Sequence, residues 1–293
     1  MAQSRATRFG AAKQRARLGF LGSGIICWLL LQSLTFVAKL QAEEYTVGVV
    51  PQFEVRQLHA AWQPLLDALT ERTGHTFKLL GNGSIPEFEA AFKAGEFDFI
   101  YSNPWHAVIA SEAQGYSPIV RDGARQLKGI LVVAKNSGIG TVAELDGKEI
   151  AFPSPNALGA SLLMRADLAR IFGIDITPVY VDTHTSVYLN VVLGTTAAGG
   201  GVMRTLNEQA ETISKQVKVI YQTRPMPPHP ISVHPRVPEI VQQQVQQALL
   251  ALGASPATNA LFAAIPMQSP IATDRDEYLV LETWGLRDFY VSD

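Results

Sequence analysis

The stretch Asp98-Phe99-Ile100-Tyr101-Ser102-Asn103-Pro104-Trp105-His106 decides how the rest of the chain is read. Phe97 to Tyr101 is short, apolar and β-prone, so it reads as a strand. Asn103-Pro104 ends that strand, because proline cannot donate to a ladder and asparagine readily caps a following helix. Such a strand end running into a helix start is the repeating joint of α/β proteins, and ligands in open α/β sheets bind just past such ends. Tyr101, Asn103 and His106 would offer a hydroxyl, an amide and an imidazole there. The plainer reading of the same residues is an Asn103 cap with Trp105 in the core.

Outward from this joint, strand and helix signals alternate. Towards the N-terminus, Tyr45–Val50 reads as a buried strand ending at Pro51. Leu58, Ala61, Trp62, Leu65, Leu66 and Leu69 then recur at helical spacing, with Gly74 as the stop. Phe77–Leu80 is a short strand. Ser84 and Glu87 have capping-box spacing for a helix ending near Gly95. Towards the C-terminus, strands are expected at Ile130–Ala134, Lys148–Phe152, Pro178–Val181, Val217–Tyr221 and Ile231–Val233. Thr141–Leu145 reads as a short capped turn. Helices are expected after Gly159, with Leu162, Leu163, Ala166, Ala169 and Phe172 inward, over Ser186–Leu193 and over Met203–Lys215. The tail from Ile240 reads as helical, through Pro256–Ala264 and Asp274–Trp284. The order predicts parallel sheets covered by helices, an α/β fold.

Two segments mark expected crossings between lobes: the polar run Arg121–Gln126, and the prolines Pro225, Pro227, Pro228 and Pro230. If both cross, 43–125 plus 226–293 form one lobe, 126–225 form the other, and a hinge closes the cleft between them. A length of 293 residues suits about two domains.

Charge divides the chain further. The totals are 24 Lys+Arg against 26 Asp+Glu, a formal net of −2. Arg5, Arg8, Lys13, Arg15, Arg17 and Lys39 all lie in residues 1–42, which contain no acid. Residues 43–293 therefore hold 18 bases against 26 acids, a formal −8. That excludes a general nucleic-acid coat, which needs clustered cations. With 47% hydrophobic and 17% charged residues, the body is also unlike a disordered chain. Basic residues through Arg17 precede an apolar run from Leu18 to about Val37, the anatomy of an export signal with a cut expected after Ala42. The run also matches a bilayer-spanning anchor, so residues 1–42 read as a signal peptide or an N-terminal anchor. Either way the body is placed in the periplasm. Cys27, the only cysteine, leaves the body without thiol chemistry.

Two further loops join strand ends to helix starts. In Phe152–Ser161, Ser154, Asn156, Ala157, Gly159 and Ser161 surround a helix N-terminus whose free N–H groups suit an anion; the plain alternative is an N-cap. It has neither the Walker nor the dinucleotide glycine pattern. In Asp182–Ser186, His184, Thr185 and Ser186 offer further donors, with Thr185 or Ser186 as caps in the bland reading. Enzyme signatures are missing: there is no Gly-x-Ser-x-Gly in the body and no His-Glu-x-x-His. His229 and His234 read as residues of an exposed proline-rich loop rather than metal ligands.

With these loops in hand, the body resembles the phosphonate/phosphite-binding family of periplasmic solute-binding proteins of ABC importers over nearly all of 43–285. The resemblance rests on Pro51, Trp62-x-Pro64-Leu65, Asp98 followed by Asn103-Pro104-Trp105-His106, Leu145-x-Gly147-Lys148, Phe152-x-Ser154, and His184-x-Ser186-Val187 with Gly194. It implies a two-lobed type II periplasmic binding fold, each lobe a mainly parallel sheet flanked by helices. It also implies a small oxyanion gripped in the cleft by His106, the Ser154–Ser161 helix start and His184, Thr185 and Ser186. No cofactor, metal or catalytic activity is implied. The expected partner of this monomer is a membrane permease; the alternative is a sensory subunit reporting to a membrane partner, and an enzyme of the same fold, such as a pyrimidine-precursor synthase, ranks third. Three positions depart from the family pattern: Ala157-Leu158 where hydroxyls precede the glycine, Ala107 for a tyrosine, and Ala197-Ala198 for an aspartate. They remove hydroxyls and a carboxylate, so a different oxyanion or a small polar metabolite stays open as the ligand.

Overall fold

Sequence periodicity and caps translate closely into the elements of Glu44–Gln114 in the computed structural model, which describes residues 42–292, whereas the strands Ser117–Asp122 and Pro270–Ala272 carry no sequence signal. The leader, Cys27 included, lies outside the described residues. In chain order the elements are β1 (Glu44–Val49), α1 (Val55–Thr73), β2 (Thr76–Leu80), α2 (Ile85–Lys93), β3 (Phe99–Tyr101), α3 (Pro104–Gln114) and β4 (Ser117–Asp122). In α1, Leu58, Trp62, Leu65, Leu66 and Leu69 form the buried face, while Pro64 sits on the exposed one. Gly74, at φ 75°, donates its N–H to the Thr70 carbonyl at 2.9 Å and stops the helix. Ser84 caps α2 by accepting from Glu87 N at 3.3 Å. The Glu87 carboxylate reaches back one residue further than a capping box requires, to Gly83 N at 2.8 Å.

The chain then passes to a second sheet: β5 (Gly129–Ala134), β6 (Glu149–Phe152), α4 (Leu163–Arg170), β7 (Thr177–Tyr180), α5 (His184–Leu193), β8 (Ala198–Val202), α6 (Met203–Asn207), α7 (Glu211–Ser214) and β9 (Val217–Gln222). It returns through β10 (Pro230–Val233), α8 (Glu239–Ala254), β11 (Pro270–Ala272) and α9 (Asp276–Leu279). The strand orders are β11-β4-β10-β3-β1-β2 and β7-β6-β8-β5-β9. Residues 42–293 pack as one compact unit. Among the described residues no helix is long and apolar enough to cross a membrane.

Both sheets are mixed rather than mainly parallel. β1 runs parallel to β2 and β3, and β6 parallel to β7 and β8. The remaining pairs, β10 with β3 and β4, β11 with β4, and β5 with β8 and β9, are antiparallel. The cause lies in the crossings. β4 continues through Leu127 into β5, and β9 continues through Met226 into β10. Leu127 and Met226 themselves form an antiparallel bridge, with reciprocal bonds of 3.1 and 2.9 Å. One antiparallel ribbon thus threads both sheets.

Other departures from the sequence reading have local causes. β8 carries Gly199-Gly200-Gly201, which shows no apolar alternation; Gly200 lets a helix backbone press on the sheet, and Gly199 and Gly201 face Val187 and Tyr188 of α5. A Cβ on Gly200 would lie 1.9 Å from the Ala160 carbonyl oxygen, and one on Gly129 of β5 would lie 1.9 Å from that of Gly159. The helix after Gly159 opens as a π turn over Leu158–Leu162. Its inner face continues through Met164, Asp167 and Leu168, and Ala169 and Phe172 are exposed. The expected helix 203–215 is two short helices. The tail beyond α8, expected to be helical, consists of short 3₁₀ turns around the strand β11 and the one-turn α9.

That tail ties the sheets together. Asn156 Nδ2 donates to the Val291 carbonyl at 2.8 Å, and Val291 N donates to Asn156 Oδ1 at 3.0 Å. Arg165 donates to the Phe289 carbonyl, Arg170 pairs with Asp288, and Arg287 pairs with Glu112 of α3.

Candidate functional site

Three cavities lie in series between the sheets, and Gln52, on the loop after β1, lines all of them. The innermost, about 20 Å³, is walled by Asn103 and His229 from the first sheet's side and by Leu127, Ala157, Leu158 and His184 from the second's. The outer cavity is about 600 Å³ and a side chamber against α1 about 360 Å³.

The first loop meets the base through its cap. Asn103 Oδ1 accepts from His106 N at 2.8 Å, and Pro104 occupies the first helical position. Asn103 Nδ2 then donates to the Asn156 carbonyl at 3.2 Å, joining the two loops. His106 is fully buried and does not wall the cavities: its Nε2 sits 2.7 Å from Glu89 Oε1. Asn156 Nδ2 donates to the other Glu89 oxygen at 2.9 Å. Burial alone would raise the Glu89 carboxyl, but the bonds from His106 and Asn156 outweigh it and hold it below the ordinary carboxylate value. Glu89, His106, Asn103 and Asn156 therefore form a buried polar brace behind the cavity. Tyr101 stacks on His229, with ring centroids 5.4 Å apart, and lines the side chamber.

The second loop brings Ala157 and the Leu158–Ala160 turn to the base. The N–H groups of that first turn have no intrahelical acceptor. Gly159 instead packs on the Gly129 backbone, and the Ser161 hydroxyl accepts from Arg165 Nε at 3.2 Å. Ser154 is buried with its hydroxyl unpartnered.

In the third loop Asp182 takes a left-handed φ of 67°, tolerable for aspartate, and turns the chain into α5. Thr183, rather than Thr185 or Ser186, is the cap: its hydroxyl accepts from Ser186 N at 3.1 Å and lies 2.9 Å from Ser186 Oγ. Thr185 is exposed. His184 points to the base with Nδ1 3.3 Å from Thr205 Oγ1, which is 2.8 Å from the Tyr188 hydroxyl; both hydroxyls reach the Val202 carbonyl. Those two hydroxyl protons can be redistributed. If Thr205 donates to Val202, His184 Nδ1 carries the proton. If Thr205 turns to donate to Nδ1 and Tyr188 donates to Val202 at 3.2 Å, the proton sits on Nε2. The second arrangement makes Nε2 a donor without leaving a buried hydroxyl proton unpaired.

Burial lowers His184 to about 4, and burial together with the charges of His106, His184 and Arg204 lowers His229 to about 3. Both imidazoles are neutral at pH 7. His229 and His234, expected on an exposed loop, are both buried. The proline run that suggested a crossing also delivers His229 against Tyr101 at the end of β3. Gln52 and Arg204 were likewise not singled out by sequence, because neither sits in a strand-to-helix joint with a cap signature. Among the described residues no group of three His, Cys, Asp or Glu could hold a metal ion.

Of the eleven expected site residues, then, Asn103, Ala157 and His184 line the base, and Tyr101 lines the side chamber. His106 and Asn156 brace the cavity from behind, and the others are tied up locally, buried or exposed.

The sequence profile of a family described as ABC transporter, phosphonate, periplasmic substrate-binding protein matches residues 47–278. The chain belongs to this family. The fold of this substrate-binding protein also matches solved relatives at low identity. A binding-protein component of an ABC phosphonate transporter from Pseudomonas aeruginosa is 14% identical, with a TM-score of 0.76 over 85% of this chain and 88% of that one. PhnD1 from Prochlorococcus marinus, solved with methylphosphonate, is 14% identical, with a TM-score of 0.76 over 85% of this chain and 99% of its own. A Xanthomonas citri protein solved with ATP is 16% identical, with a TM-score of 0.70 over 85% and 99%. The substrate-binding protein thus has the type II periplasmic binding fold, two mixed sheets flanked by helices.

Proposed function

We propose that the protein captures a small phosphonate-type oxyanion between two lobes, 43–125 plus 226–293 and 126–225, and delivers it to the permease of an ABC importer. It acts as a monomeric binder rather than a catalyst, exported to the periplasm by its N-terminal segment. The observation that carries this reading is the base of the cleft, where His229 and His184 approach from opposite sheets beside the Leu158 turn. Neutral donors of this kind suit an oxyanion in an acidic protein. They supply hydrogen bonds without the cost of burying a permanent charge on the protein side.

At about 20 Å³ the base holds no more than a water. Capture therefore requires the sheets to separate, with the Leu127–Met226 bridge as the natural hinge, and to close again over the ligand. On binding, His184 donates from Nε2, with Thr205 and Tyr188 reoriented behind it. Methylphosphonate is the reference ligand for the test, given the family and the methylphosphonate-bound relative. Isothermal titration should give a saturable one-site curve with methylphosphonate, and His184→Ala should weaken it at least tenfold. Equal affinity in the variant would remove His184 from the site.

A further inference from the structure

Charge is distributed unevenly along the cleft. Its base is neutral, but the outer cavity is walled by Arg125, Lys128 and Arg204 against Asp122 and Glu208. Both carboxylates are engaged locally. Asp122 is buried and its Oδ1 accepts from Ala124 N at 2.9 Å and Ser269 N at 3.1 Å. Glu208 Oε1 lies 2.8 Å from Arg204 Nε, close enough for an ion pair though not aligned for a hydrogen bond. Arg125 and Lys128 are exposed and have no acidic partner among the described ion pairs. A cationic mouth on a body of formal net charge −8 runs against the field of the whole molecule.

Arg204 is fixed where the outer cavity meets the side chamber, since it lines both. Its Nη2 donates to the Ala264 carbonyl at 3.1 Å, so a residue that follows β8 of the second sheet reaches the segment beside the first. A cavity of about 600 Å³ is in the range that encloses organic ligands and far exceeds what a bare oxyanion fills.

We propose that this mouth is a second anion subsite, and that the ligand is an organophosphonate whose substituent ends in a second anionic group, such as a carboxylate. The inference rests on the phosphonate reading of the base. The phosphonate sits against the His184–His229 base, the carbon chain passes Gln52, and the distal carboxylate meets the Arg204 guanidinium with Lys128 and Arg125 around it. A guanidinium matches a carboxylate bidentately, and its loose pairing with Glu208 leaves N–H groups to do so.

Isothermal titration with methylphosphonate, phosphonoacetate, 3-phosphonopropionate and 2-aminoethylphosphonate separates the alternatives. At least one phosphonocarboxylate should bind tenfold or more tightly than methylphosphonate, and the aminoalkyl compound should not. Arg204→Gln and Lys128→Gln should each reduce phosphonocarboxylate affinity tenfold or more, while methylphosphonate affinity changes less than threefold. Lys128 is exposed, so that variant tests the subsite without threatening the fold. If methylphosphonate binds and the carboxylates gain nothing, or if both variants weaken all ligands alike, the second subsite is overturned and the base reading stands. Tightest binding of the aminoalkyl compound would overturn it too, by making Asp122 or Glu208 the distal partner. If none of the phosphonates binds, the base reading fails and this inference fails with it.

Discussion

His184 and His229 are held neutral at pH 7, and that has a consequence for stability. Burial depresses His184 to about 4 and is the main cause that depresses His229 to about 3. An unfolded chain keeps histidine near 6.5. Between about 6.5 and 4 the unfolded state therefore binds more protons than the folded one. The stability associated with each histidine is complete above pH 6.5 and declines as the pH falls, by up to about 1.4 kcal/mol per pH unit for each. Urea unfolding at pH 7.5, 6.0 and 5.0 should show this decline, and His184→Asn should flatten it. An unchanged slope in the variant would mean that the imidazole is not held neutral by its surroundings.

Between residues and molecule, the decisive element is β8. Gly200 lets the Leu158–Leu162 turn lie directly on the sheet at the cleft base, while Gly199 and Gly201 make room for Val187 and Tyr188 of α5. Gly200→Ala would place a methyl 1.9 Å from a backbone oxygen that cannot rotate away. We expect at least about 2 kcal/mol of destabilisation and a Tm lower by several degrees; a variant as stable as the parent would show that the turn stands off the sheet. This element also marks where the sequence stopped being legible. Apolar periodicity exposed α1, β1 and β5, and the Ser84 and Asn103 caps fixed where α2 and α3 begin. A strand of glycines has no periodicity to read, β4 (Ser117–Asp122) mixes polar with apolar residues, and the edge strand β11 is only three residues long. Site residues followed the same rule. Asn103, Ala157 and His184 sit at strand-to-helix joints that sequence marks. His229, Gln52 and Arg204 reach the cleft through contacts between distant segments, such as the Tyr101–His229 stack across 128 residues, which no local pattern encodes.

At the scale of the whole molecule, the two sheets are joined by one antiparallel ribbon and cross-tied by the C-terminal segment. The alternation of strands and helices announced the α/β class. The ribbon could not be read, because pairing of Leu127 with Met226 depends on a return that occurs about a hundred residues later. The charge segregation seen in the sequence takes on a structural meaning here. An acidic body that captures an anion must concentrate its donors locally, and on the proposed reading it does so with neutral imidazoles and amides at the base and cations at the mouth. The proposed function places a phosphonate at that base between the sheets. In a crystal structure of the protein grown with methylphosphonate, the phosphonate oxygens should lie within hydrogen-bonding distance of His184, His229 and the amides of the Leu158–Ala160 turn. Methylphosphonate bound anywhere else, or a cleft base that stays closed and empty at saturating ligand, would contradict it.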